Sequence, residues 1–345
     1  MRMVLIASRS RSGVRSGIAL ILPTQRLPRY HGHMPAGSKP RVLVLGDLVL
    51  DVVLAPERPI ESGTDVPGIV GIRQGGSAAN TARWLARLGI DVQLVCAVGR
   101  DGAGRSLVTQ LDADGVRVRA ARIAGQRTGR VGVLVAPGGE RSFVADRRAA
   151  LALRPDHLRD EWFARLDLVH VPAYSLMGEP IGAAARAAVA NARAAAGAGV
   201  SLDLSSIGPL LAEGRRAARE LVASVTPDIL FATETEVEAF LGRNAGDGIL
   251  EHAAIAVIKR GSRGARVLAR GTAVEPIRFD VATPQVSAAD TTGAGDAFSA
   301  GFIAGWLTAL AAGRQVPDAL HRATVAGHRA AARHLSTSKQ ELPPG

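Results

Sequence analysis

Cysteine is almost absent: Cys96 is the one thiol in 345 residues. A disulfide framework within the chain is therefore excluded, which suits a reducing, cytoplasmic setting. Cys96 lies in Val92-Gln93-Leu94-Val95-Cys96-Ala97-Val98, where a thiol reads as a small buried hydrophobe and not as a nucleophile. Lysine is nearly as scarce, with Lys39, Lys259 and Lys339 alone, so arginine carries the basic charge. Aromatic residues make up 3% of the chain, and 51–83 contains none. No apolar run reaches the ~20 residues of a membrane span. The longest follows Asp296, ends at Gly313 and is broken by Gly301 and Gly305, which predicts a buried core helix.

Acidic residues are missing from 1–39, which hold six arginines and Lys39. That stretch supplies +7 of the formal net charge of +11 and leaves +4 for the rest. The basic character thus belongs to a tail and not to a patch on the fold, and no nucleic-acid recognition module accompanies it. Residues 1–39 are expected to be a disordered extension, with Met34 as an alternative start, and 339–345 a C-terminal tail. Between them, 47% hydrophobic residues allow a sizeable core, and the length suits one large domain or two medium ones.

From Arg41 onward, short apolar runs alternate with helical patterns. Val42–Leu45, Val92–Val98, Leu166–Val171, Val200–Leu204, Ile229–Ala232 and Ala254–Lys259 read as strands buried on both faces. Helical patterns cover 78–89, 105–114 and 182–198, the first two stopped by Gly89 and Gly115. This alternation predicts an α/β fold, a mainly parallel sheet with helices on both faces. Residues 51–74 and 128–146 break the rhythm with short strands and Pro/Gly turns, and predict a small separate β-sheet.

Three stretches carry chemistry. Asp290-Thr291-Thr292-Gly293-Ala294-Gly295-Asp296 is a glycine-rich turn running into an apolar helix. Such a turn aims backbone N–H groups, and the positive end of the helix, at one point, which suits a phosphate. An aspartate there is unfavourable unless it has a task, and removing a proton from an attacking hydroxyl is such a task. Gly75-Gly76-Ser77-Ala78-Ala79-Asn80 lets backbone approach a ligand closely and adds an amide suited to hydroxyls, although a Gly-Gly turn alone is common punctuation. Gly46-Asp47-Leu48-Val49-Leu50-Asp51 leaves the end of the first strand, the edge where open sheets gather ligands; a turn-capping role is the alternative for either aspartate.

The 290–302 stretch resembles the C-terminal signature of the PfkB (ribokinase-like) family of carbohydrate and nucleoside kinases. The 75–80 stretch resembles that family's N-terminal Gly-Gly-x-x-x-Asn motif. Gly99–Gly104 and Lys259–Gly264 are softer matches, and together they run from about 40 to 303. The resemblance implies a ribokinase-like α/β/α sandwich over 40–338, with a β lid from 51–74 and 128–146. It implies an ATP-dependent sugar kinase in which Asp296 is the base and the N–H groups of Gly293, Ala294 and Gly295 stabilise the transferring phosphoryl group. Asp51, Gly75, Gly76 and Asn80 would bind the sugar. Lys259, Gly261, Gly264 and Thr292 would border the nucleotide. Glu236 would organise Mg²⁺ through water, and Asp290 with Thr292 would mark a K⁺ site. Lid strands could pair two copies into a homodimer. Three positions depart from the family pattern: Thr233, Ser205 and Arg148, the last expected near the substrate edge. Two rivals stand beside this reading. One is a nucleoside kinase of the same fold, disfavoured by the scarcity of aromatic residues; the other is a non-catalytic ligand-binding relative, disfavoured by the intact Gly-Ala-Gly-Asp.

Overall fold

The computed structural model describes residues 39–337, apart from 139, 244–245, 272–274 and 287–289. The expected N-terminal extension (Lys39 aside) and the C-terminal tail lie outside the described residues. The order of elements is β1 (Arg41–Leu45), β2 (Val49–Pro56), β3 (Gly68–Gly75), α1 (Ser77–Arg87), β4 (Asp91–Gly99), α2 (Gly102–Ala113), β5 (Arg117–Ile123), β6 (Arg130–Val135) and β7 (Arg141–Asp146). There follow β8 (Leu168–Pro172), α3 (Ile181–Ala196), β9 (Gly199–Asp203), α4 (Ile207–Leu210), α5 (Gly214–Ala223), β10 (Ile229–Thr233) and α6 (Glu234–Leu241). The chain continues through β11 (Ile255–Lys259), β12 (Ala265–Ala269), β13 (Ile277–Val281), α7 (Ala294–Ala311) and α8 (Val316–Ser336).

Nine strands form the main sheet in the order β13-β12-β11-β10-β9-β8-β1-β4-β5. The pairs from β5 through β11 are parallel, whereas β12 and β13 run antiparallel at one edge. The reason is local: the turn at Gly261–Arg263 between β11 and β12 is too short for a crossover helix. Successive side chains of β1 serve opposite faces. Val42 and Val44 join the core with α1, α2, α7 and α8, while Leu43 and Leu45 join the core with α3, α5 and α6. This explains why the buried strands read as unbroken apolar runs. The apolar stretch after Asp296 is α7, buried along most of its length. Among the described residues no helix is long and apolar enough to cross a membrane.

The second sheet has four strands in the order β3-β2-β6-β7, built from the two segments that broke the sequence rhythm. Alternation divides its faces. Asp51, Val53, Arg73, Val133 and Val135 face the pocket beneath it. Leu54, Val70, Ile72 and Val144 are exposed, and the register places them together on the other face.

Candidate active site

Helices α1 and α7 meet at Asp296. The carboxylate sits in the first turn of α7, two residues after the helix begins at Ala294. Ser77 Oγ donates to its Oδ1 at 2.7 Å, and Asn80 Nδ2 donates to its Oδ2 at 2.9 Å. Both oxygens are thereby aimed by side chains one turn apart on α1. Gln74 Nε2 in turn donates to Asn80 Oδ1 at 3.2 Å, which fixes the amide's orientation. Burial pushes the Asp296 carboxyl up to about 6; the two hydrogen bonds and Lys259 pull against that, and Asp203 adds to it. Such a carboxylate is ionised at neutral pH yet basic enough to take a proton.

Gly293 precedes α7 with φ +82°, a conformation that costs glycine little. A Cβ there would lie 3.2 Å from the His334 ring and 3.6 Å from Asn80 Nδ2. The turn is held from several sides. Thr292 N–H donates to Asp290 Oδ1 at 2.9 Å, and His334 Nε2 lies 2.6 Å from Thr292 O. Trp84 Nε1, which can only donate, meets His334 Nδ1 at 3.2 Å, so the histidine carries its proton on Nε2 and gives it to Thr292. Of the N–H groups expected to face an anion, that of Ala294 turns back to Thr291 O at 3.1 Å. The N–H of Gly295, which was expected there, and that of Asp296, which was not, open α7 ahead of its first i→i−4 bond, made by Ala297 to Gly293 at 2.9 Å.

Gly75 and Gly76 bring β3 against the strand end that carries the acids. A Cβ on Gly75 would fall 1.9 Å from Asp51 Oδ1, and one on Gly76, at φ +101°, 2.3 Å from Asp47 O. Asp51 and Asn80, expected at the sugar, and Asp290 and Thr292, expected at a cation, line one pocket, whereas Asp296, Glu236 and Lys259 are not among its lining residues. Asp47 does not join them. Arg147 grips it with Nε at 2.8 Å and Nη2 at 2.7 Å and also binds Tyr174 O. Arg147→Leu would leave this largely buried carboxylate unpaired; a loss of roughly 2–4 kcal/mol in chemical denaturation is expected. Arg148 departs from expectation: its side chain turns outward to Asp146, and Arg147 is the arginine that faces inward.

Lys259 ends β11, but its ammonium turns inward, 2.7 Å from Asp203 Oδ2 and 3.4 Å from where a Gly295 Cβ would stand. Ser299 Oγ donates to the same Asp203 oxygen at 2.8 Å. Burial acts to lower the lysine's pKa, but Asp203 and Glu236 outweigh it and hold the pKa above its ordinary value. Burial, and then Asp203, raise that of Glu236. Glu236 Oε2 accepts Thr233 N–H at 2.7 Å while Thr233 Oγ1 accepts Glu236 N–H at 3.2 Å. This capping box explains the first departure, since Thr233 starts α6 as an asparagine would. Ser205 adopts φ +59° and binds back to Asp203. Gly261 and Gly264 form the turn into β12, where a Cβ on Gly264 would strike Val281 O; neither is among the residues of the pocket.

Several residues of the site carried no sequence signal. Asp290 pairs with Arg73 of β3 at 3.3 Å and Arg141 of β7 at 3.2 Å, and Arg141 also donates to Thr291 Oγ1 at 3.1 Å. Both strands belong to the small sheet, which is thereby tied down onto the glycine turn. Arg73, Arg141 and His334 stood in no motif; Asp203 did, as the first residue of Asp203-Leu204-Ser205.

A family model for pfkB family carbohydrate kinases matches residues 39–342. The chain belongs to the pfkB family of carbohydrate kinases. An ATP-dependent ribose-1-phosphate kinase from Halopiger xanaduensis is 36% identical over 280 residues, 78% of this chain and 85% of that protein. A fructokinase from Klebsiella pneumoniae is 33% identical over 279 residues, 77% of this chain and 84% of its own. The fold of this pfkB kinase also matches an E. coli protein described as a putative ribokinase II, solved with ATP and Mg²⁺. There the TM-score is 0.70 at 27% identity, covering 85% of this chain and 93% of that one. The three-layered α/β/α sandwich thus matches the ribokinase-like fold, and Asp296 and the glycine turn stand within the matched region.

Proposed function

We propose that this pfkB kinase transfers the γ-phosphoryl group of ATP to a hydroxyl of a sugar or sugar derivative, with Asp296 as the base. The observation that carries this is the placement of Asp296. One group of side chains aims its oxygens, and the open N–H groups of Gly295 and Asp296 converge beside it. The hydroxyl gives its proton to Asp296 as its oxygen attacks the γ-phosphorus, and the helix end and Lys259 offset the charge on the transferring group. Asp51 accepts from sugar hydroxyls and Asn80 both donates and accepts, while Gly75 and Gly76 let the ring approach the backbone.

The ATP and Mg²⁺ of the E. coli relative support the same pair here. Among the described residues no three His, Cys, Asp or Glu side chains gather to hold a metal. Glu236 is the carboxylate that would meet Mg²⁺ through water, on family likeness. Bound so, Mg²⁺ neutralises phosphate charge. Potassium fits less well: the Asp290 carboxylate already carries two guanidinium groups, so we do not retain K⁺ as a cofactor. The Gly261–Gly264 turn and Thr292 are assigned to the nucleotide side on family likeness. A single buried cysteine and consumption of ATP support a cytoplasmic setting.

Trp84 favours the nucleoside reading, because it lines the pocket one residue past the aromatic-free window. Its ring is already taken, with the Arg87 guanidinium 5.6 Å above it and His334 edge-on at 5.8 Å, so no open stacking platform is left for a base. The deciding assay is coupled ADP release with ATP and Mg²⁺ against a panel of sugars and nucleosides. Turnover of a sugar supports the reading; turnover of nucleosides alone removes the acceptor class but keeps the mechanism; ATP bound without turnover of any acceptor points to a non-catalytic relative.

The exposed apolar face of the small sheet, Leu54, Val70, Ile72 and Val144, with unpaired edges at β3 and β7, supports a homodimer through this surface. Light scattering should give a dimer at micromolar concentration and a monomer for Ile72→Glu/Val144→Glu. A monomeric parent would discard the dimer.

A further inference from the structure

Asp290 and Thr292 are the residues that family likeness offers to a monovalent cation, and both are engaged by groups of this chain. The Asp290 carboxylate takes Arg73 Nη1 at 3.3 Å and Arg141 Nη2 at 3.2 Å. The Thr292 carbonyl takes the Nε2–H of His334 at 2.6 Å. A carboxylate and a carbonyl are the oxygens such an ion would use in place of its water. Charge weighs against the ion as well. One carboxylate between two guanidinium groups leaves one net positive charge. None of the three side chains is more than 30% exposed, so solvent screens that charge only in part. A K⁺ entering there would add a second positive charge and give up water to do so.

The same groups hold the turn in shape. Thr292 N–H donates to Asp290 Oδ1 at 2.9 Å, Arg141 Nη1 donates to Thr291 Oγ1 at 3.1 Å, and Ala294 N–H donates to Thr291 O at 3.1 Å. Each bond fixes a residue just ahead of Gly293, where the chain enters α7. The N–H groups of Gly295 and Asp296 follow at once, so their direction depends on how firmly 290–293 is held. Donors act on a developing charge only when they are aimed in advance. The two arginines come from β3 and β7 of the small sheet and the histidine from α8. Positive charge is thus brought to the turn by the fold itself.

We propose that Arg73, Arg141 and His334 are positioning residues that take the place of a monovalent cation at the glycine turn, so that the enzyme works without K⁺. This rests on the kinase reading above. The three act through Asp290 and Thr292 on the N–H groups that open α7.

The test follows ADP release, calorimetric ATP binding and thermal melting in KCl, NaCl and tetramethylammonium chloride at equal ionic strength. In the parent, kcat and ATP affinity should agree within about twofold across the salts, and melting should agree too, because an ion that bound the folded protein would raise it. A gain of roughly 10-fold in kcat or ATP affinity that only K⁺ gives, or a rise in melting that only K⁺ gives, overturns the inference. Arg73→Gln/Arg141→Gln strips both guanidinium groups from Asp290. It should lower kcat and ATP affinity about 10-fold in tetramethylammonium chloride, and K⁺ should recover part of both losses. His334→Ala bares only the Thr292 carbonyl and should show the same K⁺ response more weakly. Arginines that merely tie down the small sheet would cost the double variant acceptor affinity alone, alike in every salt, and the inference would fall; a loss that K⁺ does not relieve sinks it as well. If the double variant does not fold, the salt response of the parent decides. Without turnover of any acceptor the kinase reading falls, while ATP binding and melting still decide the inference: alike in all three salts they uphold it, raised by K⁺ they overturn it.

Discussion

Asp296→Asn is expected to lower kcat/KM roughly 10²–10⁴-fold while ATP still binds. The substituted amide has the right size and can still meet Ser77 or Asn80, but it cannot accept the substrate proton. The wild-type pH profile gives the same prediction a second readout. Burial holds the Asp296 carboxyl up at about 6, and the base works only when ionised. The rate should therefore fall as pH drops through about 6 and be flat above it. That acidic limb should be missing from the residual activity of the variant. Stability separates loss of chemistry from loss of fold. A carboxyl whose folded pKa is raised stabilises the fold below its unfolded pKa, and that contribution is lost as pH rises through about 6. At pH 8 the ionised Asp296 is a cost, so the variant should melt no lower than the parent; near pH 3 that advantage should be gone. A variant that keeps more than a tenth of the parent's turnover would remove Asp296 as the base.

What was legible in the sequence, and what was not, divides along a physical line. Buried strands such as Val42–Leu45 were readable because a parallel strand is apolar on both faces, and the helix after Asp296 because an apolar stretch with glycines, shorter than a membrane span, suits a buried core helix. The glycine turn was readable because only certain residues allow its backbone path. The antiparallel edge of β12 and β13 was less so, since its pattern differs little from that of its neighbours. Ion pairs between distant segments left no trace at all. Lys259 and Asp203 are 56 residues apart, and Arg73 and Asp290 are 217 apart. Lys259, one of three lysines, was assigned to the nucleotide border by family likeness, and its ammonium turns inward to Asp203. Thr233 looked like a defect in a family motif and proves to be a helix cap. The aromatic-free window of 51–83 ended one residue short of Trp84. Motifs reported which segments converge; they could not report which charges meet once the segments have converged.

Lys259→Met tests that convergence, and its effect should be nearly as large. The ammonium is the counterion of Asp203 at 2.7 Å and also acts on Glu236 and Asp296. Methionine keeps the length and apolar stem but leaves three carboxyl groups facing one another with no cation between them. Breaking a buried pair from one side costs about 3–5 kcal/mol, and the loss should appear in denaturant unfolding at pH 8. It should shrink as pH falls and the carboxyls protonate, because the penalty is one of uncompensated negative charge. The catalytic consequence has a definite sign. Lys259 lowers the pKa of Asp296, so its removal should shift the acidic limb of kcat/KM to higher pH than about 6. The plateau rate should fall as well, because the same cation lies 3.4 Å from where a Gly295 Cβ would stand, the place at which the proposed mechanism puts the transferring phosphoryl group. Lys259→Arg restores the charge in a larger group and should return the limb toward its original position even where packing suffers. If the methionine variant is destabilised but its acidic limb stays in place, Lys259 serves the fold through Asp203 alone, and the tuning of Asp296 must be sought in burial and its bonds to Ser77 and Asn80.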